Sequence, residues 1–261
     1  MKLFYKSRVY NIVKAGSIMN KFKFNNIELP FVMIGTSPFM GAGQFGFRGL
    51  EWRAKFMNNA NLMSELMIYA YELGAVGIEM LDIGKVADAI DIVCKKYSDY
   101  IVLASTHWSN LNIKNLAVRY KSKVIFLHGN ISDRRNKDMI LSIFEEIRSY
   151  NVIPGIATHE PIKTIKFAQD NNLGCEIFLI PFNKIGYMMS IQKKLEDLVD
   201  KSEETFIAMK PLAAGRIKPQ EAFEYLIKHN ISGAAVGLVS KEEIQETVPI
   251  AVKLFNNKHK S

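Results

Sequence analysis

The sequence predicts a single (β/α)8 barrel preceded by a small β-hairpin. Three observations predict it. Eight short apolar, β-branched runs recur along the chain. Segments with helical period separate them, and successive runs lie about one βα unit apart. A polar residue stands at the end of nearly every run, and in a barrel of parallel strands all those ends open onto one face.

Taken in order, residues 1–20 are basic and lack an uninterrupted apolar stretch, so they read as a loosely held extension, with no signal peptide. Phe22–Leu29 alternates apolar and polar residues around Asn25-Asn26 and reads as a hairpin. The eight runs are Val32–Thr36, Gly77–Leu81, Ile101–Thr106, Val124–His128, Ile153–Thr158, Glu176–Pro181, Phe206–Lys210 and Ala234–Leu238. Leu62, Leu66, Tyr69, Ala70 and Leu73 form one helical stripe, and Ile140, Ile143, Phe144 and Ile147 form another. Ala222, Phe223, Leu226 and Ile227 make a third; Ile244, Val248, Ala251, Val252 and Phe255 make the last. Pro161 and Pro219 suit first-turn positions, where a missing N–H costs nothing. Ser240 and Glu243 have capping-box spacing. Pro249 predicts a kink or a new helix within the last stripe. A doubly wound sheet is the competing architecture, but no GxGxxG follows the first run. Residues 21–261 are therefore read as one barrel domain.

The 261 residues are 48% hydrophobic, enough for one large core. No apolar run approaches the roughly 20 residues of a spanning helix, so no membrane partner is expected. The net charge of +8 comes from scattered lysines with no basic stripe interleaved with aromatics. A solvated surface, rather than nucleic-acid binding, is the expectation. Cys94 and Cys175 form no CxxC pair and read as buried thiols, which suits a reducing, cytoplasmic compartment.

The chemistry is expected at the run ends. Gly35–Gly49, with its glycines and aromatics, reads as an active-site loop that lets backbone approach a ligand. Glu79 and Asp82 stand three apart, so alternation sends them to opposite faces; Asp82, just past the apolar run, is the expected mouth residue. His107, His128 and His159 end three successive runs. They suit acid–base work, since histidine titrates near neutrality, or a metal site, and spacing alone leaves both open. Lys210, Gly215 and Arg216 follow the seventh run and suit an anion, as does the helix start at Ser240.

These segments together resemble the aldo/keto reductase superfamily, from about Asn26 to Ala251. Gly77–Asp82 is similar to its second-strand motif, Leu127-His128 to its "LH" pair, Gly155-Ile-Ala-Thr158 to its Gly-Val-Ser segment and Pro181-Phe-Asn183 to its "PYN". Lys210-Pro-Leu-Ala-Ala-Gly215 and Val236-Gly-Leu-Val-Ser240 resemble its last two strand ends. The MKPLAAGR and THEP forms resemble a divergent branch with iron–sulfur members, but two cysteines cannot hold a four-cysteine cluster. The resemblance implies NADP(H) or NAD(H) at the barrel mouth and reduction of a small carbonyl substrate. Asp82 and His128 match two of its catalytic residues. Ala87 stands where its tyrosine is expected and His107 where its lysine is expected.

The leading expectation is thus an NAD(P)H-dependent carbonyl reductase with an atypical site. His128 would be the acid or carbonyl-orienting donor, Asp82 its electrostatic partner and His107 a replacement acid. Thr158, His159, Asn183, Lys210, Gly215, Arg216, Ser240 and Lys241 would line the cofactor. One alternative is a metal-dependent hydrolase, lyase or isomerase in which His107, His128 and His159, with Glu79, Asp82 or Glu160, hold a divalent ion. The other is a non-catalytic barrel that retains the cofactor site.

Overall fold

The computed structural model describes residues 20–260, so the extension read over residues 1–20 lies, Asn20 apart, outside the described residues. Strands β1 (Lys21–Phe24) and β2 (Ile27–Pro30) pair antiparallel, with Phe22 opposite Leu29. The turn needs a left-handed residue, and Asn25 supplies it at φ 50°. Phe22, Phe24 and Leu29 are buried. Phe22 stacks on Phe31, which stacks on Phe255, so the hairpin lies against the strand N-termini. It closes the end of the barrel opposite the strand C-termini.

Strands β3 (Val32–Gly35), β4 (Gly77–Leu81), β5 (Ile101–Ser105), β6 (Val124–Leu127), β7 (Ile153–Ala157), β8 (Ile177–Pro181), β9 (Thr205–Met209) and β10 (Gly233–Val236) form a closed parallel barrel in chain order, with β10 pairing β3. Every strand falls on a run expected from sequence. The interior is filled by side chains such as Met33, Leu103, Phe126 and Ile207, all fully buried. Each such burial contributes about 1.5–3 kcal/mol. Phe126 also fixes its neighbour: a Cβ at Gly155 would lie 2.6 Å from Phe126 Cδ1 and 3.0 Å from Ile177 Cγ2. Gly155→Ala is therefore expected to cost about 1–3 kcal/mol through overpacking. Urea unfolding should show a lower midpoint with an unchanged slope.

The long first loop is more ordered than a plain connection. A 3-10 turn at Gly43–Phe45 leads into helix α1 (Phe47–Phe56), and the Phe45 ring meets Trp52 edge-on at 4.9 Å. The remaining helices are α2 (Ala60–Glu72), α3 (Val86–Lys96), α4 (Ile113–Val118), α5 (Gly129–Ser132), α6 (Lys137–Ser149), α7 (Pro161–Asp170), α8 (Gln192–Lys201), α9 (Pro219–Leu226) and α10 (Lys241–Lys260). Pro161 and Pro219 open α7 and α9 as expected. Cys94 is half-buried and Cys175 buried, and both are free. No helix among the described residues is long and apolar enough to cross a membrane.

No new helix begins at Pro249: α10 runs through it. Ile244, Val248, Ala251, Val252 and Phe255 form a buried face that holds the helix to the barrel. Pro249 and Gln245 are exposed, so water can satisfy the carbonyl that the proline leaves without an N–H partner. The start of α10 is capped nearly as expected. Glu243 N donates to Ser240 Oγ at 3.2 Å, while Glu243 Oε2 accepts from Val239 N, one residue earlier than the usual box.

Candidate active site

Two cavities of about 510 Å³ each open at the C-terminal ends of the strands. They share Ser37, Gln44, Glu79, Met209 and Lys210 as walls, so they meet at the centre of the mouth.

The first cavity brings the three histidines together. His107 stacks on Trp108 at 4.0 Å, Trp108 reaches His128 at 5.5 Å, and His128 meets His159 edge-on at 5.7 Å between centroids. Thr106, fully buried, anchors the middle of this row, since its hydroxyl accepts from His128 N at 3.1 Å. His128 is the N-cap of α5, and its Nδ1 accepts from Asn130 N at 3.1 Å. That bond leaves the proton on Nε2. Burial, and then the neighbouring His159 and His107, push His128 down to about 4, so its imidazole is neutral near pH 7. His159 is also pushed down, chiefly by burial and next by Lys210. Its ring occupies the space a side chain would need at residue 129: a Cβ on Gly129 would lie 2.7 Å from His159 Cδ2.

The carboxylate in the mouth is Glu79 rather than Asp82. Along β4, Glu79 and Leu81 face inward and line the first cavity. Beyond Leu81 a tight turn, with Ile83 N donating to Leu81 O, swings Asp82 away. Asp82 instead accepts from the side-chain amides of Asn112 and Asn115, and it lines neither cavity. Glu79 Oε1 accepts from Ser105 Oγ at 2.7 Å, and burial holds its carboxyl above the ordinary range, against the opposing pull of that bond and of Lys210. Lys210 has φ 59°, a left-handed backbone unusual for a lysine. Burial lowers its amine to about 8, with Glu79 opposing.

The second cavity carries more charged side chains, of both signs. Arg48, Arg216 and Lys218 line it with Gly215 and the Gly237–Val239 backbone, facing Glu243 and Glu246. Residues 213–215 all have positive φ, which forms the turn that carries Arg216. The Arg216 guanidinium lies over the Tyr187 ring at 4.5 Å and donates to Ala213 O.

The other residues expected at the cofactor are placed differently. Thr158 is fully buried, and its hydroxyl donates to Asp133 and accepts from Glu160 N, so it holds backbone rather than ligand. Asn183 is fully buried and makes a two-way bond with the Tyr187 backbone, bracing the loop beneath Arg216. Ser240 caps α10, and Lys241 lies over Tyr69; neither lines a cavity. His159 faces the first cavity, not the second. Of that set, Lys210, Gly215 and Arg216 converge on the second cavity. The metal trio does not form either: among the described residues no three His, Cys, Asp or Glu groups converge as metal ligands. Glu160 is held by Arg135 and Lys163.

Sequence reasoning missed Asp133, whose carboxylate accepts from Thr158, Thr164 and His159 N. It also missed Arg48, Arg53 and Lys218 as cavity walls. Arg48 stood inside the glycine-rich loop already read as ligand-facing; Asp133 had no comparable signal.

No protein-family model matches the chain, and no curated protein matches it by sequence. Solved structures do match. An aldo/keto reductase from Brucella melitensis superposes with a TM-score of 0.60 at 13% identity, over 91% of this chain and 98% of that one. The chain has the fold of the aldo/keto reductases. One from Klebsiella pneumoniae, in complex with NADP and acetate, gives 0.59 at 13% identity over 90% of each chain. A variant of Gox0644 in complex with NADPH gives 0.62 at 10% identity over 94% of each.

Proposed function

We propose that the protein is an NAD(P)H-dependent oxidoreductase that reduces a small carbonyl compound, using a mouth without the tyrosine and lysine of the aldo/keto reductases. The observation that carries this reading is the junction of the two cavities. A groove beside β9 and β10, lined by Arg48, Arg216 and Lys218 with Glu243 and Glu246 opposite, runs into a histidine-lined mouth, with Glu79 and Lys210 as common walls. The neighbours solved with NADP or NADPH share this barrel.

The residues present suit a dinucleotide. Arg48, Arg216 and Lys218 supply the positive charge that a pyrophosphate needs, and the left-handed turn at residues 213–215 leaves the chain open at Gly215, where an added Cβ meets nothing within 4 Å. A bound nicotinamide cofactor would supply the hydride. This chain's side chains would orient the carbonyl and deliver a proton. Ala87 is buried in α3, away from the first cavity, and no tyrosine among the described residues lines that cavity. Neutral His128 presents Nε2–H and suits the carbonyl-orienting donor better than the acid. His107 lines the same cavity and is the proton donor in this reading. The free thiols at Cys94 and Cys175 fit a cytoplasmic setting.

Titration with NADPH and NADH tests the reading, following cofactor fluorescence and calorimetric heat. The expected result is saturable micromolar binding, weakened at least about tenfold in Arg216→Ala, which loses a charged contact of about 1.5–3 kcal/mol. No binding at millimolar cofactor overturns it.

A further inference from the structure

The carbonyl-reduction reading assigns no chemical step to the Lys210 amine. It lines both cavities at their junction. Its Nζ forms no ion pair among the described residues, and its only hydrogen-bond contact there is a weak one to Met209 Sδ at 3.5 Å. A partly buried lysine would ordinarily find a carboxylate. Here Glu79 is near enough to be felt by the amine but is itself taken by Ser105 Oγ. The backbone at Lys210 is left-handed at φ 59°, and the same is true of Ala213 and Ala214. Non-glycine residues in that region cost of order 1 kcal/mol each and persist where surrounding structure enforces them, often at functional sites.

We propose that Lys210 is a carbonyl-capturing nucleophile, condensing with a small anionic aldehyde or ketone to form an imine. Three observations support it: the enclosed position, the unpaired amine and the enforced backbone. Arg53 in the first cavity and Arg216 in the second give the substrate's negative group a counter-charge on either side. In the step, the neutral Nζ attacks the carbonyl carbon and a C–N bond forms. Both N–H protons pass to the carbonyl oxygen, which departs as water, and a C=N bond replaces C=O. Glu79 lines the same junction and is placed to relay those protons, and burial raises its carboxyl's hold on a proton. No oxidant or reductant is consumed, and hydrolysis reverses the step. Burial aids the first event: an amine lowered from 10.5 to about 8 has on the order of a hundredfold more free base at pH 7 than an ordinary lysine.

The test is borohydride trapping. The whole protein is incubated with glyoxylate, reduced with sodium borohydride, and digested for peptide mapping. Expected is a carboxymethyl group on Lys210 at a level about tenfold above that on any exposed lysine, allowing for the lower intrinsic nucleophilicity of a less basic amine. Its labelling rate should level off as pH passes about 8, while exposed lysines continue to gain. Lys210→Met should lose that label and no other, and Glu79→Gln should slow it. Glycolaldehyde, which is neutral, should label Lys210 more slowly. Labelling spread evenly over the lysines, or absent from Lys210, overturns the proposal; equal rates with the two aldehydes overturn its anionic part. The wild-type map decides the matter even if a variant fails to fold. No nicotinamide cofactor is present, so the outcome is independent of the cofactor titration.

Discussion

Asp133→Ala is expected to lower stability by about 3–4 kcal/mol and to loosen the histidine row at the same time. The Asp133 carboxylate, just past α5, accepts from the hydroxyls of Thr158 and Thr164, both fully buried, and from His159 N at 2.8 Å. Hydrogen bonds to a charged acceptor are worth about 1.5–3 kcal/mol each, and donors stranded in a buried setting add a desolvation cost. The three bonds share one acceptor, so the expected loss falls below the roughly 4.5 kcal/mol that three such bonds would give at their weakest. Asp133→Asn keeps one oxygen but turns an amide toward the other donors, so about half the loss is expected. The bond to His159 N fixes the end of β7, and with it the imidazole beside Gly129. Urea unfolding measures the stability term. The His159 imidazole NMR resonances measure the second effect and should broaden or shift in the alanine variant. A loss under about 1 kcal/mol with unchanged His159 resonances would mean that Asp133 does not hold the row.

The same residue shows where sequence reading stops. The barrel was legible because each strand is a short apolar, β-branched run, and buried parallel strands need such runs whatever their partners are. The histidine row was legible for a related reason: strand C-termini share one face, so residues at equivalent run ends meet. What each polar residue does once there depends on which backbone groups lack partners. Thr158 and Asn183 stand at strand ends like the histidines, yet both turn inward to satisfy backbone, because a short hydroxyl or amide reaches its own loop more readily than a ligand. The exchange of Asp82 for Glu79 has a geometric cause. Alternation states that the two face opposite ways, but which one enters the barrel depends on where the strand ends, and a one-residue turn after Leu81 decides that. Lys210 was read from sequence as a phosphate contact. Its left-handed backbone and unpaired amine, visible only in three dimensions, give it a different candidate role.

Acidification is the second large effect. In the fold His128 titrates near 4, against an ordinary value of 6.5, because burial, His159, His107 and Lys210 all oppose its charge and only Asp133 favours it. As pH falls below 6.5 the unfolded chain takes up this proton first, so stability rises with pH across the window from 4 to 6.5 and is lost on moving down through it. The full shift corresponds to about 3 kcal/mol; with the imidazole partly open to solvent, about 1–2 kcal/mol is expected between pH 7 and pH 5. His128→Asn isolates this contribution. Its side-chain oxygen replaces Nδ1 as acceptor for Asn130 N, and asparagine is a favoured N-cap, so stability at pH 7 should change little. Urea midpoints at pH 7 and pH 5 should then lie closer together than in the wild type, with a residual slope from His159, which is also pushed down. An unchanged gap would mean that His128 is not held neutral by the fold. The reductase reading depends on the same property, because a neutral imidazole whose Nδ1 is already engaged has only Nε2–H to offer a carbonyl. Loss of turnover as pH falls through the window in which His128 takes up its proton would tie the two effects to one group.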